Sequence, residues 1–118
     1  MKCLFPLVML LTLSSAALAQ QEGGDGNFLL KSCRANVRLQ DDSKDVDYQL
    51  AAYCAGTVHG VADVLDAFDL VSLPEPSTVG QLTRVVEKYL REHPEKLADR
   101  DTNLVAYALK EAFPAKKN

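Results

Sequence analysis

Two cysteines, Cys33 and Cys54, stand 21 positions apart, and the charged segment Gln40–Val46 lies almost midway between them. Stretches of helical periodicity flank that segment on both sides. Two helices joined by a short turn run antiparallel, so residues equally far from the turn lie at the same height. The spacing therefore predicts a helical hairpin with its two thiols facing each other. A disulfide needs Cα atoms about 5.5 Å apart, which closely packed helices supply. Closing a loop of this length stabilises a fold by roughly 3 kcal/mol, through restriction of the unfolded chain. The two-residue spacing of thiol oxidoreductases is absent, so the pair is expected to be structural and not redox-active.

The third cysteine, Cys3, has a different setting. Lys2 is followed by an apolar run from Leu4 to Leu13 and then by Ser14-Ser15-Ala16-Ala17-Leu18-Ala19. A basic start, a short apolar core and small residues at Ala17 and Ala19 read as a secretory signal peptide, cleaved between Ala19 and Gln20. The apolar core is too short to span a bilayer comfortably. Residues 1–19 are therefore expected to be removed in export to the periplasm, an oxidising compartment that favours the Cys33–Cys54 bond. What remains is long enough for one small domain with one core.

Charge narrows the partners. Without Lys2, 12 basic residues face 16 acidic ones, a charge near −4. No basic stripe is present, so nucleic acid is not an expected partner. No second long apolar run follows the leader, so no membrane association is expected after cleavage.

Periodicity sets the fold class. Residues 20–27 are polar and glycine-rich and read as a flexible tail. Asn27 is the expected cap of a first helix, Phe28–Leu39, with Phe28, Leu29, Cys33 and Val37 inward. Asp45 or Asp47 is expected to cap a second, Tyr48–Leu70, with Leu50, Cys54, Val58 or Val61, Leu65 and Phe68 on its apolar face. Ala52, Gly56 and Gly60 recur every four residues on that helix. Glycine costs a helix about 1 kcal/mol against alanine, so the expected return is close approach of another helix. A crossing within the chain is the favoured use, and a dimer contact is the alternative.

Ser72-Leu73-Pro74-Glu75-Pro76 breaks the second helix. Thr78 and Gln81 have capping-box spacing and open a third helix that runs to about Glu92, with Val79, Leu82, Val85, Val86, Tyr89 and Leu90 inward. His93-Pro94 ends it, and Glu95–Arg100 is expected to hold a short helical turn. Asp99 or Asp101 caps a last helix, Thr102–Ala112, with Leu104, Val105, Ala108 and Leu109 inward. Phe113-Pro114 closes the domain at 28–114, and 115–118 is a basic tail. The fold class expected is all-α, a compact bundle of four to five helices with one disulfide across a helical hairpin.

No catalytic constellation stands out. His59 lies four residues before Asp63, with Asp66 three further on, but no third strong ligand accompanies them. A polar edge of a half-buried helix is the simpler reading, with Asp63 in a structural role. No serine sits in a nucleophile elbow, no glycine-rich loop follows a strand, and no haem-attachment motif occurs. Asp41-Asp42 and Asp45–Asp47 do not follow the order of an EF-hand loop. The expectation is a protein that is not an enzyme, holds no cofactor or metal, and acts by binding.

Several features occur in a fixed order: Cys33; Cys54-Ala55-Gly56 with Gly60 and Asp63; Leu73-Pro74; Gly80-Gln81-Leu82; Tyr89-Leu90; His93-Pro94-Glu95; Leu104-Val105; Ala108-Leu109; and Phe113-Pro114. Across about Phe28–Pro114 the chain resembles the Rap/Tai family of exported immunity proteins. That resemblance implies a helical homodimer that neutralises a peptidoglycan amidase effector of type VI secretion. It also implies structural weight for Gly56, Gly60, Asp63, Pro74, Gln81, Pro94 and Phe113. The family commonly carries a second cysteine pair, where this chain has Ser72 and Ala115. The departure predicts a looser tether between the Ser72 loop and the C-terminus.

Inhibition of that kind implies a loop that occludes the toxin's active site. The candidate loop follows the third helix and carries His93, Glu95, Lys96, Asp99, Arg100 and Asp101. The acidic turn Asp41–Asp47 is the other candidate. Carboxylates in either would complement a basic cleft and speed association. Different classes of function remain open at this point: a small periplasmic acid-stress chaperone, or an orphan binding protein. The cysteines of such chaperones lie much further apart than Cys33 and Cys54.

Overall fold

Among the described residues four α-helices follow one another: α1, Gly26–Gln40; α2, Tyr48–Ala67; α3, Val79–Glu92; and α4, Asp101–Ala112. A single 3-10 turn, Pro94–Lys96, lies between α3 and α4. The computed structural model describes residues 24–117. The expected signal peptide and its expected cleavage after Ala19, Cys3, and residues 20–23 of the expected tail lie outside the described residues. Among the described residues the only β pairing is two isolated bridges, Asp25 with Arg100 and Val71 with Pro114.

Caps define the helix ends. Thr78 and Gln81 form a reciprocal capping box at the start of α3, as their spacing predicts. Asp47 caps α2 through the amides of Gln49 and Leu50. Two helices end in Schellman motifs with aspartate in the left-handed position. Asp42 has φ 59°, and the Ser43 amide reaches back to the Arg38 carbonyl. Asp69 has φ 53°, and the Leu70 amide reaches the Leu65 carbonyl.

The core lies where all four helices meet. Leu29, Val58, Val86, Leu90, Leu104, Val105 and Leu109 are wholly buried. Each such side chain contributes about 1.5–3 kcal/mol of apolar burial. Cys33 and Cys54 are bonded, buried, and 5.0 Å apart at Cα, which ties α1 to α2 at matched height. A second, polar joint ties α1 to α3. Gln40 Nε2 donates to Asn36 Oδ1 at 2.7 Å and to Thr83 Oγ1 at 2.9 Å, and Asn36 Nδ2 donates to the Ala51 carbonyl at 3.0 Å. Thr83 is wholly buried, and among the described residues no buried side-chain polar atom lacks a partner.

Five expectations need correction. Helix α1 begins at Gly26 and is capped by Asp25, whose carboxylate accepts from the Phe28 amide at 2.9 Å. Asn27 lies inside the helix and donates from its side chain to the Leu97 carbonyl. Gly24 to Asn27, read as the end of a flexible tail, is thus tied into the fold. Helix α4 starts at Asp101, with Arg100 in the cap position, so neither Asp99 nor Asp101 is its cap. Phe68 is 71% exposed, because α2 stops at Ala67 and leaves it beyond the last packed turn.

The small-residue row of α2 does not receive another helix of this chain. A Cβ added at Gly56 or Gly60 would meet nothing within 4 Å. Ala52, Gly56 and Gly60 all face outward. The connection after α2 is tied to the C-terminus through the backbone, with Ser72 and Ala115 standing where a second cysteine pair is absent. The Ser72 amide donates to the Phe113 carbonyl at 3.0 Å, next to the Val71–Pro114 bridge.

Candidate functional site

The segment from His93 to Asp101 leaves α3 and returns into α4. Its first half is held by aromatic groups. The His93 ring stacks on Tyr89 with centroids 4.0 Å apart, and His93 Nδ1 lies 2.7 Å from the Tyr89 carbonyl oxygen. Pro94, with no N–H to lose, opens the 3-10 turn. Lys96 then folds back, donating to the Tyr89 hydroxyl at 3.2 Å. Its ammonium lies 5.8 Å from the ring centroids of both Tyr89 and Tyr107. The hydrogen bond to Tyr89 raises the Lys96 pKa above its ordinary value.

The second half is held by backbone. The Gly26 amide donates to the Asp99 carbonyl at 3.0 Å and the Asn27 amide to that of Leu97 at 3.1 Å. The Asp101 amide donates in return to the Gly24 carbonyl at 3.0 Å. Gly26 is required by this approach. A Cβ there would stand 2.8 Å from the Leu97 Cα, 2.9 Å from its carbonyl oxygen and 2.5 Å from Leu104 Cδ1.

Six residues picked from the sequence fall into three groups. Glu95, Asp99 and Arg100 are exposed. His93 and Lys96 are half-buried against Tyr89. Asp101 is only 5% exposed, and both its carboxylate oxygens are occupied. Tyr53 of α2 donates to Oδ2, and the Thr102 amide donates to Oδ1 at 2.7 Å. Burial first, then the hydrogen bond and charge of Asp101, push the Tyr53 phenol above its ordinary pKa. No motif in the sequence singles out Tyr53, since its partner lies 48 residues away.

An open cleft of about 920 Å³ adjoins the loop. Phe28, Tyr53, Gly56, Gly60, Val61 and Arg100 are among the residues that line it. The acidic turn Asp41–Asp47 is remote from it, at the other end of α1, a separation of about 22 Å at 1.5 Å per residue. Two of its acids are engaged: Asp41 pairs with Arg84 at 2.6 Å and Asp47 caps α2. His59 and Asp63 pair at 3.4 Å on the outer face of α2, both largely exposed. Among the described residues no three His, Cys, Asp or Glu side chains are grouped to hold a metal ion.

A family model described as Rap1a immunity proteins matches residues 25–115. The match begins at the residue that caps α1 and spans all four helices and the loop. No curated protein matches the chain.

Proposed function

The chain belongs to the Rap1a immunity proteins, and from that premise we propose that it is an exported inhibitor of a peptidoglycan amidase delivered by type VI secretion. Its signal peptide is removed near Ala19-Gln20, and it works in the periplasm as a binding protein without cofactor. The His93–Asp101 loop enters the effector's active-site cleft and blocks it. The observation that carries this reading is the loop itself: Glu95, Asp99 and Arg100 project from a backbone pinned by three main-chain hydrogen bonds to the start of α1. A loop ordered before binding loses less conformational entropy on association.

A second copy of the chain is part of the reading. Tyr48, Ala52, Gly56, Gly60 and Val64 of α2 and its C-cap Phe68 recur every four residues, and all are exposed. Their sizes run alike from either end: an aromatic, a smaller apolar residue, then glycine. Rows spaced by four are the ridges through which helices pack. A two-fold pairing presents the same patch on both copies. Glycines at the crossing permit close approach, and aromatic ends reach across where the axes diverge.

The test is co-expression in the periplasm with a peptidoglycan amidase effector of type VI secretion. Growth is expected to be restored, and the two proteins are expected to purify together. Continued lysis with no complex would sink the immunity reading for that effector class.

A further inference from the structure

We propose that the loop's recognition geometry is set by residues that never touch the effector, with Tyr53 and Gly26 as positioning residues and Asp101 as the latch between them and the loop. The proposal rests on the reading that the His93–Asp101 loop is the contact.

Asp101 looks, in sequence, like one more acid on a binding loop. Its surroundings say otherwise. It is nearly buried, and its carboxylate is consumed by Tyr53 and by the Thr102 amide. Among the described residues no cationic side chain pairs with it, so Tyr53 is the one side chain that satisfies it. A buried carboxylate that loses its hydrogen-bond partner is forced toward water. Moving Asp101 moves Arg100 and Asp99 with it.

Tyr53 is itself fixed. Its neighbour Cys54 is bonded to Cys33, and its ring meets Phe28 edge-on at 4.9 Å. Phe28 belongs to the first turn of α1, whose start forms the other side of the latch. There the Gly24 carbonyl accepts the Asp101 amide, and the Gly26 amide reaches Asp99. Gly24 and Gly26, read from the sequence as the end of a tail, therefore build the back of the loop. Their position is set by the absence of a side chain at Gly26.

The experiment uses the full mature chain, a catalytically inactivated amidase effector from that co-expression test, and four variants: Tyr53→Phe, Asp101→Ala, Asp101→Asn and Glu95→Ala. Binding rates and amide hydrogen exchange are measured together. Asp101→Asn keeps an acceptor for Tyr53, so it is expected to bind within about threefold of wild type. Tyr53→Phe and Asp101→Ala are expected to lose about tenfold or more. Exchange at residues 97–101 should rise in both, while peptides from the core of α2 and α3 stay protected. Asp101→Asn binding as weakly as Asp101→Ala, with Tyr53→Phe unchanged, would make Asp101 a direct contact and overturn the proposal. If wild type binds but Glu95→Ala alone weakens it, positioning is overturned and the loop reading stands. If wild type captures no effector, the recognition role falls with that reading. Exchange then decides the latch, and unchanged protection at 97–101 in Tyr53→Phe overturns it too.

Discussion

Tyr53 of α2 donates its hydroxyl proton to the carboxylate of Asp101, the first residue of α4. The bond joins the helix stapled by Cys54 to the end of the loop carrying Glu95, Asp99 and Arg100. It makes the loop continuous with the disulfide-bonded hairpin.

This bond gives the protein an alkaline signature. Burial and Asp101 hold the Tyr53 phenol above its ordinary pKa, so the folded state favours the neutral form. That contribution to stability is full below the ordinary tyrosine value of about 10 and is lost as pH rises through the raised folded value. Tyr53 should give a late phenolate absorbance phase. The phase should vanish in Tyr53→Phe. An unchanged titration curve in that variant would refute the assignment.

Three glycines should respond to alanine with opposite signs. Gly56 and Gly60 have open space at Cβ, so each Gly→Ala change should stabilise the isolated chain by about 0.5–1 kcal/mol through helix propensity. Gly26→Ala must displace backbone at Leu97 and should cost about 1–3 kcal/mol. Urea unfolding of the three variants checks the signs.

The outward row on α2 predicts a change in assembly without a change in fold. Phe68→Glu puts a charge at a largely exposed position, and Gly60→Leu adds bulk where a Cβ meets open space. Both should leave helical circular dichroism intact and convert a dimer to a monomer in light scattering. A monomeric wild type at high concentration would remove the homodimer from the reading.

Reduction of Cys33–Cys54 should cost roughly 3 kcal/mol. Both sulfurs are buried, so the native protein should resist reductant until unfolding opens the core. A lowered urea midpoint in Cys33→Ala/Cys54→Ala, with the α-helical spectrum kept, is the expected result.

The polar joint between α1 and α3 should be sensitive to loss of a single hydroxyl. Thr83→Val keeps volume but removes a partner from Gln40 Nε2 and from Asn36 Oδ1. The expected cost is about 1–3 kcal/mol, measured by thermal unfolding.

An all-α bundle of four to five helices, the Cys33–Cys54 bond and the inward faces of α3 and α4 were legible in the sequence. Those follow from local periodicity, capping chemistry and the equal distances of Cys33 and Cys54 from their turn. The sequence also placed the loop after α3, because proline at Pro94 interrupts a strong helical pattern. Tertiary structure alone decided three other matters. Which side of α2 is left bare depends on where α1, α3 and α4 pack, so Gly56 and Gly60 read as buried until the neighbours are in place. Gly24 to Asn27 looks like tail because its hydrogen bonds go to residues some seventy positions away. Asp101 looks like a surface acid because the tyrosine that buries it comes from another helix, and no local pattern records that meeting.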